Sequence, residues 1–403
     1  MTPIPRSAPR PSFPLSCCLL LLALLTMALP AAGAAGTAVG EPLVPLPVAP
    51  EITWEGTQFV GADPDGEVFV LRGMTLESYP VIDEVGLGEA RPLVEGGTGG
   101  GGAAAGPSVT SERPIHRAAM GKEGEWVVLH GPALRWFRHG EEEPSPPSLG
   151  RATAVALSKG RPVVAVVPMP AGFSTLQGDA GPATLARWSG DDWTPLVEAE
   201  EEEIEVDGAA DLMAPFSSHL AADSEGDLWV ARQYSYEIRH HASGGRELTS
   251  ITLDEGDPRV LDEDDEEVEE MRAFLAAEAE KMGREAGKKG TVRIVVNRSR
   301  PVIAALAEGG DGRLYVLRPP FGDASPGWSL DRFDVAGRSL ERTSLALDGQ
   351  GSMSMVAGKD GLYVAAFSAG AGRWLLPWAA LEAAAWEPVA GLKIDGLDVA
   401  AGE

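Results

Sequence analysis

The chain has 403 residues, 44% of them hydrophobic and 6% aromatic, with a formal charge of −27. That is enough apolar material for one large domain or a few small ones. So acidic a chain repels nucleic acid and anionic lipid, which excludes both as partners.

The first residues read as a targeting segment. Arg6 and Arg10 form a basic start, Leu15 to Leu29 is an apolar run, and Ala32-Gly33-Ala34 is an A-x-A cleavage site. The run is short for a membrane span, and no later segment is apolar enough to cross a bilayer. The expected division is a secretory signal peptide over 1–34, a linker over 35–51 and a folded region over 52–400. This places the protein in the periplasm or outside the cell, without an integral span after cleavage. Both cysteines, Cys17 and Cys18, lie inside the apolar run and precede most of it, the wrong order for a lipobox. The mature chain therefore lacks disulfides and relies on core packing and strand pairing. Removing two arginines and no acids with the signal takes the charge from −27 to −29.

A motif then recurs. Asp63-Pro64-Asp65-Gly66 leads into Glu67-Val68-Phe69-Val70-Leu71, and Gly121-Lys122-Glu123-Gly124 into Glu125-Trp126-Val127-Val128-Leu129. Ser158-Lys159-Gly160 before Arg161 to Val166 is a degenerate copy. Asp223-Ser224-Glu225-Gly226 leads into Asp227-Leu228-Trp229-Val230-Ala231, Asp311-Gly312 into Arg313 to Leu317, and Lys359-Asp360-Gly361 into Leu362 to Ala365. The acid and glycine make a turn; the β-branched and aromatic run that follows suits a buried strand. A short apolar strand precedes most turns, so the unit is a hairpin. After Trp229 and after Tyr315 a third strand, a glycine turn and a fourth strand can also be read.

A four-stranded antiparallel unit repeated radially is a propeller blade. The fold expected is all-β: a six-bladed β-propeller of four-stranded antiparallel blades with one helical insertion. The blades fall near 57–96, 112–150, 151–200, 216–253, 300–347 and 352–394. Two β-sandwiches are the alternative. Ring closure is expected from a terminal segment, with Pro47 to Trp54 beside the last blade.

Two segments interrupt the repeat. Residues 96–106 are almost all Gly and Ala and read as a flexible loop. Residues 254–290 form an acidic helical insertion, in which Val268, Met271, Leu275 and Met282 give one apolar stripe. Its expected place is the rim or side of the propeller; the sharper alternatives are a lid or a partner-docking helix.

No catalytic signature is present: there is no G-x-S-x-G and no H-E-x-x-H. The aspartates between Asp254 and Asp265 lack the glycine of an EF-hand loop. His116 and His219 each precede a tryptophan, Trp126 and Trp229, by ten positions, which places both at the start of an innermost strand. Phe59, Ala305 and Met353 are the matching positions elsewhere. Two imidazoles facing one channel could bind a ligand, although water-filled-channel histidines without one are the plainer reading.

Asp223-Ser224-Glu225-Gly226-Asp227-Leu228-Trp229-Val230, and the run from Pro301 through Tyr315 to Phe333-Asp334 and Gly337-Arg338, resemble the six-bladed NHL/TolB-like propellers of exported bacterial proteins. The likeness spans most of the mature chain and is most legible from 216 to 365. It implies a fold and a compartment, and no catalytic residue carries over from it. The function expected is a monomeric, non-enzymatic scaffold for an unknown protein or small ligand, needing no cofactor and no metal. The alternative is a metal-dependent hydrolase or lyase of the six-bladed lactonase type working in the channel.

Overall fold

A computed structural model describes residues 46–47, 57–62, 67–72, 75–83, 86–87, 91–94, 115–121, 125–130, 133–138, 141–144, 151–167, 183–198, 218–232, 235–254, 268–269, 272–273, 276, 301–320, 327–335, 338–347, 353–366 and 372–396. Strand β1 is Leu46–Pro47. Blade one holds β2 (Thr57–Ala62), β3 (Glu67–Arg72) and β4 (Thr75–Asp83), with β5 (Gly86–Leu87) and β6 (Arg91–Val94) both paired to β4. Blade two is β7 (Ile115–Met120), β8 (Trp126–His130), β9 (Ala133–Arg138) and β10 (Glu141–Glu142). Blade three is β11 (Arg151–Ser158), β12 (Arg161–Val167), β13 (Ala183–Trp188) and β14 (Trp193–Glu198).

Blade four is β15 (Ser218–Ala222), β16 (Leu228–Arg232), β17 (Glu237–His241) and β18 (Glu247–Leu253). Blade five is β19 (Ala305–Glu308), β20 (Leu314–Arg318), β21 (Trp328–Asp334) and β22 (Ser339–Leu345). Blade six has β23 (Met353–Ala357), β24 (Gly361–Ala366) and β25 (Arg373–Pro377). A short helix α1 (Trp378–Ala383) and strands β26 (Glu387–Pro388) and β27 (Leu392–Asp395) complete the chain.

The six innermost strands touch in a closed cycle: β2, β7, β11, β15, β19, β23 and back to β2. This is a six-bladed β-propeller around a central channel. Each blade buries both faces, so its second strand is a near-continuous apolar run instead of an alternating one. Val68 to Leu71, Trp126 to Leu129, Leu314 to Leu317 and Leu362 to Ala366 are all buried. Every seam between blades has its own apolar core. Phe59 meets Tyr363 across the closing seam, and Leu71 and Leu76 meet Trp126 and Phe137 across the next. Val127 and Leu129 pack with Val155 and Val164, Ala156 and Val163 with Leu228, Ile238 and Ile251 with Leu314 and Phe333, and Leu330 and Leu345 with Leu362 and Leu376.

The turn chemistry is as the repeat implies. Gly226 has φ +83°, and a Cβ there would lie 2.7 Å from the Lys159 side chain of the neighbouring blade. The turn thus needs glycine for both conformation and space. Asp223 closes it by accepting hydrogen bonds from the amides of Glu225 and Asp227, each at 2.8 Å.

The blades depart from a uniform four strands at the ends of the chain. The fourth strand of blade six comes from the N-terminal side: β1 pairs antiparallel with β25, Leu46 opposite Leu375 and Pro47 opposite Trp374. The pairing falls at the start of the segment expected there. Blade six proper ends at Pro377, not near 394, because the chain after α1 runs back round the rim. There β26 adds a fifth strand to β22, and β27 adds one to β18. In the inserted segment Val268, Glu269, Arg272, Ala273 and Ala276 are helical, with Val268 buried and the other four exposed. Met271, Leu275 and Met282 lie outside the described residues. Among the described residues no helix is long and apolar enough to cross a membrane.

Candidate functional site

The strand register defines equivalent positions on the blades. Val68, Trp126, Leu228 and Leu314 each pair with the last residue of the innermost strand of their blade. Three residues further along, Leu71 faces Gln58, Leu129 faces Arg117, Ala231 faces His219 and Leu317 faces Ala305. On blade six Ala365 faces Ser354. Blade three has a tighter hairpin, and at this level Ala154 is the residue that packs toward blade four.

One level of the inner ring therefore carries Arg117, His219 and Ser354 on blades two, four and six. Ala154 and Ala305 stand on blades three and five, and Gln58 holds the register position on blade one. The match differs from the one that tryptophan spacing suggests. Trp126 corresponds to Leu228, not to Trp229, so counting ten back from each tryptophan compares unlike positions. A bulge between Ile115 and Arg117 leaves His116 out of the ladder and brings Arg117 to the place that His219 occupies. The His116 side chain lies outside the described residues. Similarly, a bulge at Val60 makes Gln58, not Phe59, the blade-one equivalent, and Ser354, not Met353, serves on blade six. Ala305 stands where expected.

His219 is half-buried and its Nε2 lies 3.2 Å from the carbonyl oxygen of Ile303 on the next blade. A carbonyl only accepts, so Nε2 carries the proton and Nδ1 of the neutral ring is an acceptor. Burial pushes the imidazole down to about 4; the bond to Ile303 opposes this, and the charge of Arg117 adds to it. His219 is neutral at physiological pH and lies within Coulombic reach of a guanidinium. Arg117 is exposed, and partial desolvation of its guanidinium lowers its pKa below the usual arginine value. Ser354 Oγ accepts the amide of Phe59 at 2.8 Å, across the closing seam, and its own O–H remains a donor.

A second polar group sits where blades four and five meet. The His240 ring stacks on Trp229 with centroids 3.9 Å apart, and its Nε2 lies 2.9 Å from Asp223 Oδ2. The indole of Trp229 donates to Glu308 Oε2 at 3.2 Å, and Glu308 Oε1 accepts the amide of Ser224 at 3.3 Å. Burial alone would raise the Asp223 pKa, but hydrogen bonds from His240 and two amides outweigh it and hold the carboxyl below its usual range. Glu308 moves the other way: burial raises it, and the charge of Asp223 adds to that.

Asp223, Asp227 and His240 come close enough together to suggest metal ligands. Their atoms already have work. Asp223 serves the turn and His240, and Asp227 Oδ1 accepts the amide of Ser243 at 2.7 Å. The arrangement is that of a turn network staking one blade to the next.

A third group lies in blade five. Asp331 is fully buried and takes a forked pair of hydrogen bonds from Arg342 at 2.6 and 2.9 Å, with Arg318 3.9 Å away. Tyr236 lies beside them, its phenol pushed well up by burial and by the Asp331 charge. Arg342 also borders a cavity of about 380 Å³, lined besides by Asp254, Thr343, Ser344 and residues of the returning tail. This cavity is on the outer rim, away from the channel.

No protein-family profile matches the sequence, and no curated protein matches it. Solved structures do. A streptogramin B lyase aligns with TM-score 0.41 at 9% identity, over 81% of this chain and 84% of that one. A virginiamycin B lyase from Staphylococcus aureus aligns with TM-score 0.40 at 8% identity, over 80% and 96%. A gluconolactonase from Xanthomonas campestris aligns with TM-score 0.41 at 12% identity, over 86% and 99%. What the chain shares with these enzymes is the six-bladed propeller fold.

Proposed function

We propose that this protein is an exported, non-enzymatic binding scaffold that takes its ligand in the central channel. The observation that carries the reading is the donor set of the inner ring. Among the described inner-strand side chains the one carboxylate is Glu308, and it is held by Trp229 and Ser224. A hydrolase of the lactonase kind gathers several carboxylates or amides around one divalent ion. Here the level that carries polar groups offers a guanidinium, a neutral imidazole and a hydroxyl, with alanines on two blades and one amide residue, Gln58, at the register position of the first, but no carboxylate. Such a surface recognises a ligand by a few placed polar groups in an apolar setting. Export is supported by the basic start, apolar run and A-x-A site before residue 35. The acidic charge disfavours nucleic acid, and the working form is a monomer.

The test pairs two assays on the purified protein. A thermal-shift screen of small metabolites and peptides is expected to find a stabilising ligand whose effect disappears in Arg117→Glu. A panel of lactones and esters, assayed with calcium or magnesium, is expected to show no turnover. Hydrolysis abolished by a chelator and by Glu308→Gln would replace this reading with the metal-dependent enzyme.

A further inference from the structure

We propose that Glu308 is a proton-operated latch on the joint between blades four and five: ionised, it pushes against Asp223 across the joint, and protonated, it lets the joint tighten. No ligand in the channel is needed for this. The turn at 223–227 gathers hydrogen bonds from three blades. From blade three, Ser158 Oγ donates to Gly226 O. Arg187 Nη1, also of blade three, donates to Ser243 O at 2.6 Å, and the Ser243 amide donates to Asp227 Oδ1. Within blade four, Asp223 accepts the amides of Glu225 and Asp227. From blade five, Glu308 accepts the Ser224 amide and the Trp229 indole. Two carboxylates from different blades thus hold one turn.

They are unequally provided for. Asp223 accepts hydrogen bonds at 2.8, 2.8 and 2.9 Å, the last from His240. Glu308 is half-buried and has two longer ones, at 3.3 and 3.2 Å. Like charges in a poorly solvated place raise the cost of ionising both, and the proton goes to the group with the weaker partners. Burial first, and the Asp223 charge after it, lift the Glu308 pKa above its ordinary 4.5, while the bonds from Ser224 and Trp229 and the charge of His240 oppose them. Other ionisable groups on the packed elements are engaged elsewhere. Asp311, on the same hairpin as Glu308, is bonded to Arg313 and Tyr315; Arg318, on β20, lies by Asp331; and His219, on β15, is bonded to Ile303. Strand β23, which packs on β19 from blade six, carries no ionisable residue. As pH falls through the raised pKa the folded chain takes up the proton before the unfolded one, so the joint gains stability, fully below 4.5, and loses it as pH rises again.

The Trp229 indole N–H, which points at Glu308, reports the latch directly. Its resonance, assigned with Trp229→Phe, is followed by heteronuclear NMR from about pH 7.5 to about 4, across the range where a raised glutamate titrates. The wild type should show a step with its midpoint above 4.5 that is missing in Glu308→Gln and moved to lower pH in Asp223→Asn. Titration curves that are the same in wild type and Glu308→Gln overturn the proposal, as does a midpoint that ignores Asp223→Asn. Urea unfolding supplies a second readout. The unfolding midpoint of the wild type should rise relative to that of Glu308→Gln as pH drops from about 7 to about 4.5, His219 acting alike in both and cancelling. A difference that does not change with pH overturns the latch.

Discussion

At the scale of single residues, His219 and Asp223 both lose stability to acid, each in its own pH window. The His219 pKa falls from 6.5 to about 4 on folding, so the unfolded chain takes up the proton first as pH drops. Stability is then full above about 6.5 and is lost as pH falls from 6.5 toward 4, by up to about 3 kcal/mol. Asp223, held below its ordinary 3.8, contributes stability that is present above that value and lost as pH falls below it. Acid unfolding followed by circular dichroism should show both windows. His219→Gln should flatten the first and leave the second; an unchanged profile between pH 6.5 and 4 would show that His219 titrates normally. Asp331 is the most exacting position. Replacing it with Ala takes the carboxylate from the buried Arg318 and the half-buried Arg342 and should cost about 3–5 kcal/mol in urea unfolding, whereas Asp331→Asn keeps part of the hydrogen bonding and should cost less. Arg117 shows why the site was only half legible. His219 stands out in the sequence because Trp229 flags its strand. Arg117 is concealed by a bulge one residue before it, and a bulge leaves no reliable mark in composition.

At the scale of elements, the hairpins were readable because both of their signals are local. An acid-glycine turn followed by a β-branched and aromatic run is written within ten residues, and strands β2–β3, β7–β8, β15–β16, β19–β20 and β23–β24 all sit on such a motif. The returning tail was not readable. Glu387–Pro388 is two exposed residues and Leu392–Asp395 only four, alternating half-buried and exposed; both are too short for a pattern to mark them, and what makes them strands is the open edge of a distant blade. Four residues of β27 pair with Ser250 to Leu253, and Lys393 adds an ion pair to Asp254 at 3.4 Å. Truncation after Ala384 should therefore bare the edges of β18 and β22. The expected outcome is a lower melting temperature with concentration-dependent association in light scattering, because an unpaired edge templates pairing with another chain. A truncated protein that stays monomeric and melts as the full chain does would mean the fifth strands contribute nothing. The apolar stripe of the insertion meets the structure at Val268 alone, which is buried as a stripe residue should be.

At the scale of the whole molecule, repetition made the fold legible where any single blade would not have been. One blade cannot cover its two apolar faces, so six copies of one hairpin motif imply a ring. Removing residues 35–48 takes away β1 and opens the β25 edge, and should lower the midpoint of urea unfolding without abolishing folding, since the Phe59–Tyr363 contact and the Ser354–Phe59 hydrogen bond remain across that seam. If export proceeds as proposed, N-terminal sequencing of the secreted protein should begin at residue 35, which leaves β1 in the mature chain. The backward course of the tail sets an order of opening for the ring. The chain steps once across each boundary between neighbouring blades, but it crosses from six to five and from five to four a second time through α1, β26 and β27. Those two joints are double-stitched, while the joints among blades one to four are single. In native-state hydrogen exchange the half made of blades one to three should breathe first and at lower cost, as a cooperative unit of its own.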